Sequence, residues 1–275
     1  MKTVNLKKYK LTISICIILI LSVFTACSSN SEIPPQTVES PVGDEEAILE
    51  ITSISILSAL EPILFGKFPQ TIDEEAIVTN TKNANGYYQG SMGQSYAKVN
   101  GKYYKVEDVL WDAFKLESGD ILLVAQNILY SARYDNYHDY FEGERQIFKD
   151  DGYVFTDAEE ARIQDVNVKY DYRTQSSITF NVRRFFLSYE TLQNIYPTTT
   201  KVLKKPTDYA AINLQTNESG YASWWLAPRN GKSIYVSEDG AISNKNNTYI
   251  EMVDSSAYIR YATRGMVSCL IISAE

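Results

Sequence analysis

Histidine and cysteine are almost missing from this chain: one histidine, His138, and three cysteines, Cys16, Cys27 and Cys269, in 275 residues. The common zinc arrangements draw on several Cys or His ligands and find no such set here. Cys16 lies inside an apolar N-terminal run and Cys27 stands at its end, so Cys269 alone remains for a folded part, which therefore holds no internal disulfide. Its neighbours, Val267-Ser268-Cys269-Leu270-Ile271-Ile272, have the apolar density of a buried strand, and Cys269 reads as a small buried hydrophobe rather than a reactive thiol. A Cys–His catalytic pair has only Cys269 and His138 to draw on, and nothing near either residue supports one.

Other chemistry-bearing patterns are also lacking. There is no Gly-x-Ser-x-Gly nucleophile turn and no glycine-rich phosphate loop; Gly86, Gly90 and Gly93 occur together, but with no lysine placed to hold a phosphate. Basic charge is short as well. Lys plus Arg number 26 against 34 Asp plus Glu; without residues 1–27, which carry four lysines and no acid, the balance is 22 against 34, a net of −12. Such a surface repels phosphate backbones, and nucleic acid is excluded as an expected partner. Acidic pairs such as Asp150-Asp151, Glu159-Glu160 and Glu238-Asp239 arise by default on the solvated faces of so acidic a chain, so no catalytic residue and no metal ligand is assigned.

What is present begins at the N-terminus. Residues 1–27 join a basic start (Lys2, Lys7, Lys8, Lys10), an apolar run over 11–24, and Thr25-Ala26-Cys27. The run has 14 residues, short of the roughly 20 that a spanning helix needs. Small residues followed by cysteine mark a lipoprotein precursor, predicting cleavage and acylation at Cys27 and an extracytoplasmic, lipid-anchored address at the cell envelope. Residues 28–45 are polar and proline-broken, a disordered tether. Residues 46–275 are enough for one core and read as a single domain.

Within that domain the expected elements are strands with short helices. A helix is expected at 54–60, then a strand through Ile63, Leu64 and Phe65 ended by Gly66-Lys67-Phe68-Pro69; residues 79–101 read as a loop or loose hairpin. Residues 103–116, the turn Glu117-Ser118-Gly119-Asp120 and residues 121–125 form the best-defined hairpin, with Trp111 in the core. Residues 131–152 read as a long surface excursion. Thr156 and Glu159 predict a capping box, and residues 178–187 a strand. Ser188 caps a helix over 189–195 that Pro197 stops. Trp224 to Arg229, then 233–237, the turn at Glu238-Asp239-Gly240 and 241–243 read as strands, as does 265–272. The fold class is α+β, twisted antiparallel sheet with two or three short helices and long loops.

Five stretches follow one another in a set order: Phe65-Gly66-Lys67-Phe68-Pro69-Gln70-Thr71, Leu110-Trp111-Asp112-Ala113 through Leu122-Leu123-Val124, the run from Phe155 to Ile163, Lys205-Pro206-Thr207-Asp208-Tyr209-Ala210, and Trp224-Trp225-Leu226-Ala227-Pro228 followed by Tyr235-Val236-Ser237-Glu238-Asp239-Gly240. In that order they resemble a bacterial domain family of unknown function, DUF6273. The resemblance implies a C-type lectin-like fold in which the strand near Ile63-Leu64-Phe65 lies beside that at 265–272. The family's arginine within the Trp-Leu-Arg-Ser-Pro motif is displaced here to Arg229, and its closing Gly-Val-Arg-Pro is replaced by Gly265-Met266-Val267-Ser268, leaving Arg264 as the only nearby substitute.

Adjacent strand residues face opposite sides, so one of Trp224 and Trp225 fills the core and the other lies at a surface or beneath loops. Either both rings are structural, or one helps build a binding platform. The 21 tyrosines fit either recognition loops or amphipathic strands; Tyr130, Tyr134, Tyr137, Tyr140, Tyr235, Tyr249, Tyr258 and Tyr261 fall in or near expected loops and hairpins. Trp224, Trp225, Arg229, Tyr235 and Asp239 are the candidate binding residues. The expected function is a membrane-anchored, non-catalytic module, without cofactor, that recognises carbohydrate or an envelope protein. One alternative is a structural envelope module with no dedicated ligand. The other is an enzyme related to formylglycine-generating enzyme, whose paired cysteines this domain lacks.

Overall fold

The computed structural model describes residues 54–133, 153–171, 177–196, 202–229, 232–243 and 263–274, all within the unit Glu46–Glu275. The elements run β1 (Ile56–Asp73), β2 (Val78–Lys82), β3 (Tyr88–Gly90), β4 (Ser95–Val99), β5 (Lys102–Leu116), β6 (Ile121–Ala125), β7 (Tyr130–Arg133), α1 (Asp157–Arg162), β8 (Val166–Asp171), β9 (Ser177–Val182), α2 (Tyr189–Ile195), α3 (Asp208–Ala211), β10 (Trp224–Arg229), β11 (Lys232–Val236), β12 (Ile242–Ser243), β13 (Thr263–Met266) and β14 (Cys269–Ile272). The fold is α+β, antiparallel sheet with a few short helices, as the order of turn signals and apolar runs implies.

Strand β5 organises the larger sheet. Tyr104, Val106, Val109, Trp111 and Ala113 are buried in near alternation, the period-two pattern of a strand with one face on the core. One edge of β5 pairs with β1 over its whole length, from Ile56 opposite Leu116 to Asp73 opposite Tyr103. The other edge is divided: β4 pairs with its first residues and β6 with its last. β14 then adds to β6, and β3 and β2 to β4. The expected hairpin of β5 and β6 is therefore found, and the stretch 79–101, expected as a loop or loose hairpin, is an antiparallel meander that includes three short strands.

The expected helix at 54–60 is not formed. Residues 56–60 belong to β1, and that strand also runs through Gly66-Lys67-Phe68-Pro69, where it was expected to stop. The long β5 template overrides the local signals, and bulges between Leu60 and Ile63, Leu64 and Lys67, and Pro69 and Ile72 absorb them. Gly66 has φ +64° beside the second bulge, and a Cβ there would lie 2.3 Å from the Phe155 ring.

The five-stranded sheet has the order β12-β11-β10-β13-β7, in which only β10 and β13 pair in parallel. The expected single strand at 265–272 is two strands. β13 belongs to this sheet and β14 to the larger one, with Val267 and Ser268 crossing between them. β6 and β7 cross in the same way through residues 126–129. Because β6 pairs with β14 and β7 with β13, the four strands make one bent antiparallel ribbon shared by both sheets. At its bend Gly265 meets Ile128, and a Cβ on Gly265 would lie 2.4 Å from Ile128 Cγ2.

The first and last strands do not pair, contrary to expectation. They share the larger sheet with β5 and β6 between them, because β5 takes the whole inner edge of β1. Phe65 of β1 and Ile271 of β14 belong to one main hydrophobic cluster with Trp111, Trp224, Phe185, Phe186 and Leu226.

The predicted caps are present. Thr156 Oγ1 accepts from Glu159 N, while Glu159 Oε2 accepts from Thr156 N at 2.8 Å. Ser188 Oγ accepts from Thr191 N at 3.0 Å and starts α2 at Tyr189. Strand character at 178–187 ends at Val182, although Phe185 makes an isolated bridge to Cys269. Pro197, most of the excursion over 131–152 and His138 lie outside the described residues.

Candidate functional site

The five-stranded sheet brings three of the relevant side chains together. Trp225 on β10 stands opposite Tyr235 on β11 and beside Met266 on β13. The two rings meet edge to face with centroids 6.1 Å apart. Arg264, on β13, places its guanidinium 4.5 Å from the Trp225 ring centroid and 3.7 Å from that of Tyr235. Arg264 is only 8% exposed, its Nε has no hydrogen-bond partner, and among the described residues no carboxylate forms an ion pair with it. Burial pulls its pKa down, opposed by Tyr235 and by the charge of Glu238. A cation held this way keeps much of the cost of desolvation while one donor remains unused.

The other candidate residues have different roles. Trp224 is fully buried and its Nε1 donates to Val202 O at 3.0 Å, an internal anchor. Trp225 is also buried, so of the two expected places for the second indole, a surface or beneath loops, the surface is not where it lies; its partners are the aromatic and cationic ones. Asp239 is exposed and accepts from Ser237 Oγ and from Ala241 N. The Ser237 hydroxyl, first among these donors, holds its carboxylate below the usual range, and Asp239 closes the β11–β12 turn. Arg229 pairs through its backbone with Lys232 at the end of β10; its side chain, like Cys27, Tyr134, Tyr137, Tyr140, Tyr249, Tyr258 and Tyr261, lies outside what is described. Tyr130 is exposed on β7. Of the acidic pairs, Glu159 is occupied by its cap and by Gly66 N at 2.8 Å, and among the described residues no group of three or more His, Cys, Asp or Glu is placed to hold a metal.

A second polar cluster was not singled out from the sequence. Asp112 on β5 points one oxygen, Oδ1, at Gln126 Nε2, which donates at 2.8 Å. The other, Oδ2, accepts from the Tyr196 hydroxyl and lies 3.3 Å from Lys204 Nζ. Lys204 Nζ is 3.2 Å from Tyr196 Oη and 4.9 Å from the centroid of its ring. The Lys204 side chain is 3% exposed and that of Asp112 24%. Burial lowers the Lys204 pKa against the pull of Asp112, and burial raises those of Tyr196 and Cys269. Lys204 reaches this position because Ile128 N donates to Lys205 O and Thr207 N to Ile128 O, fixing residues 205–207 against the ribbon bend. A lysine beside Lys205 and Pro206 reads in sequence as solvated; only the pairing of Lys205 with Ile128, 77 positions away, puts Lys204 inside.

Compared with family models, with curated proteins and with solved structures, the chain matches none.

Proposed function

We propose that this chain is a lipid-anchored, extracytoplasmic binding module without catalytic activity, its N-terminal segment cut before Cys27 and the domain held to the envelope by acyl chains. The fold is read as C-type lectin-like and the chain as akin to DUF6273; the ordered motifs support this. One observation carries the functional reading: Arg264 is buried between Trp225 and Tyr235 with an unused Nε and no paired carboxylate among the described residues. A fold that needed only packing would place an apolar side chain there and avoid the desolvation. An aromatic-flanked guanidinium suits a sugar ring that stacks and a carboxylate that accepts from the cation. The ligand class this favours is therefore a carboxylate-bearing carbohydrate of the envelope.

The test is binding of the full chain, extracted in detergent, to an array of neutral and acidic glycans, with pulldown of envelope proteins in parallel. Specific capture of acidic glycans that falls at least tenfold in Arg264→Gln supports the reading. Capture of a protein instead redirects it to a protein ligand. No specific signal, or one unchanged by Arg264→Gln and Trp225→Leu, removes it in favour of a structural envelope module.

A further inference from the structure

We propose that Lys204 and Asp112 become joined by an amide bond between their side chains, a covalent staple that ties β5 to the segment before α3. Lys204 Nζ lies 3.3 Å from Asp112 Oδ2, in a pocket walled by Tyr196, with Phe114 edge-on to that ring at a centroid distance of 5.9 Å. Asp112 is the sole ion-pair partner of Lys204 among the described residues, and the lysine is almost completely buried. Burial favours the neutral amine, the form that acts as a nucleophile. Both carboxyl oxygens already face donors, Gln126 Nε2 on Oδ1 and the Tyr196 hydroxyl on Oδ2, which is the placement that stabilises an oxyanion on the adjacent carbon.

The step balances without any co-reactant. A proton passes from the Lys204 ammonium to the facing Asp112 Oδ2, and the amine Nζ adds to Cγ, forming the N–C bond. The tetrahedral oxygens are held by Gln126 and Tyr196, and the Cγ–Oδ2 bond then breaks. Oδ2 leaves as water, taking one proton from the carboxyl and one from the amine, and the partial exposure of Asp112 gives that water an exit. No electron is transferred. The product removes a buried pair of charges, and it links positions 92 apart in a domain whose single cysteine, Cys269, leaves it no internal disulfide.

Tryptic mass mapping of the full chain tests this. Trypsin cuts after Lys105, Lys115, Lys201 and Arg229, does not cut before Pro206, and is blocked at a modified Lys204. The expected product is residues 106–115 joined to residues 202–229, lighter than their sum by one water (about 18 Da). Lys204→Met abolishes it. Asp112→Asn, which fills the same space, yields a branched peptide of identical mass by losing ammonia instead of water, so the proposal does not depend on one variant folding. Recovery of only the linear peptides from the folded wild-type protein, with cleavage after Lys204, overturns it. Glycan binding can fail without affecting this result, and the reverse also holds.

Discussion

At the scale of single residues, the two adjacent tryptophans divide by partner rather than by exposure. Both are buried, yet Trp224 donates to a backbone carbonyl of the 202–207 segment while Trp225 meets Tyr235 edge to face and carries the Arg264 guanidinium over its ring. Trp224→Phe therefore loses one buried hydrogen bond and some packing, about 1–3 kcal/mol. Chemical denaturation of the variant should show that loss with ligand capture intact, whereas Trp225→Leu should lower capture more than stability. Equal losses of capture in the two variants would make both rings structural. Sequence reasoning named Trp225 and Tyr235 together from their motif, and it noted Arg264 only as a stand-in for a missing arginine. It had no means of finding the Asp112, Tyr196 and Lys204 cluster. Asp112 lies 84 and 92 positions from Tyr196 and Lys204, and each looks like an ordinary surface polar group until the strands are paired.

At the scale of elements, local signals succeeded where a side chain bonds to its own neighbourhood. The Thr156 and Ser188 caps and the Glu238-Asp239-Gly240 turn formed at the expected residues because their hydrogen bonds close within five positions. They failed at β1, whose conformation is set by β5. Helix α1 also links the two scales: Glu159 caps it and accepts from Gly66 N in the bulge of β1. Burial alone would raise the Glu159 pKa. The backbone amides of Gly66 and Thr156, the Thr156 hydroxyl and Lys67 together outweigh it and lower the value. A carboxyl whose pKa is lower in the folded state contributes stability above its unfolded pKa, and that contribution is lost as pH falls through the folded value. Glu159→Gln should thus cost about 1–2 kcal/mol near neutral pH, and progressively less as acidification protonates the wild-type carboxyl. Denaturation midpoints measured across pH 2.5–7 check this; a difference that stays constant over the range would contradict it.

At the scale of the whole molecule, the bent ribbon of β6, β7, β13 and β14 does three things. It couples the two sheets, it sets Arg264 next to Trp225 by way of Gly265, and through Ile128 it presses Lys204 towards Asp112. The α+β class was legible because apolar runs and turns alternate along the chain. The ribbon was not, because a two-residue crossing at Val267-Ser268 carries no turn signal, and the continuous apolar stretch read as one strand. Without the first 27 residues the chain has a net charge of −12, which repels anions at long range but is screened beyond about 8–10 Å in physiological salt. Recognition of an acidic ligand then rests on the contact cation itself. The most direct measurement is a titration of the full chain with a uronic-acid-bearing oligosaccharide and with its neutral counterpart, followed by tryptophan emission. A saturable change with the acidic sugar alone, absent in a folded Arg264→Gln protein, is the expected result. Equal responses to both sugars, or a response that survives loss of Arg264, would contradict the account.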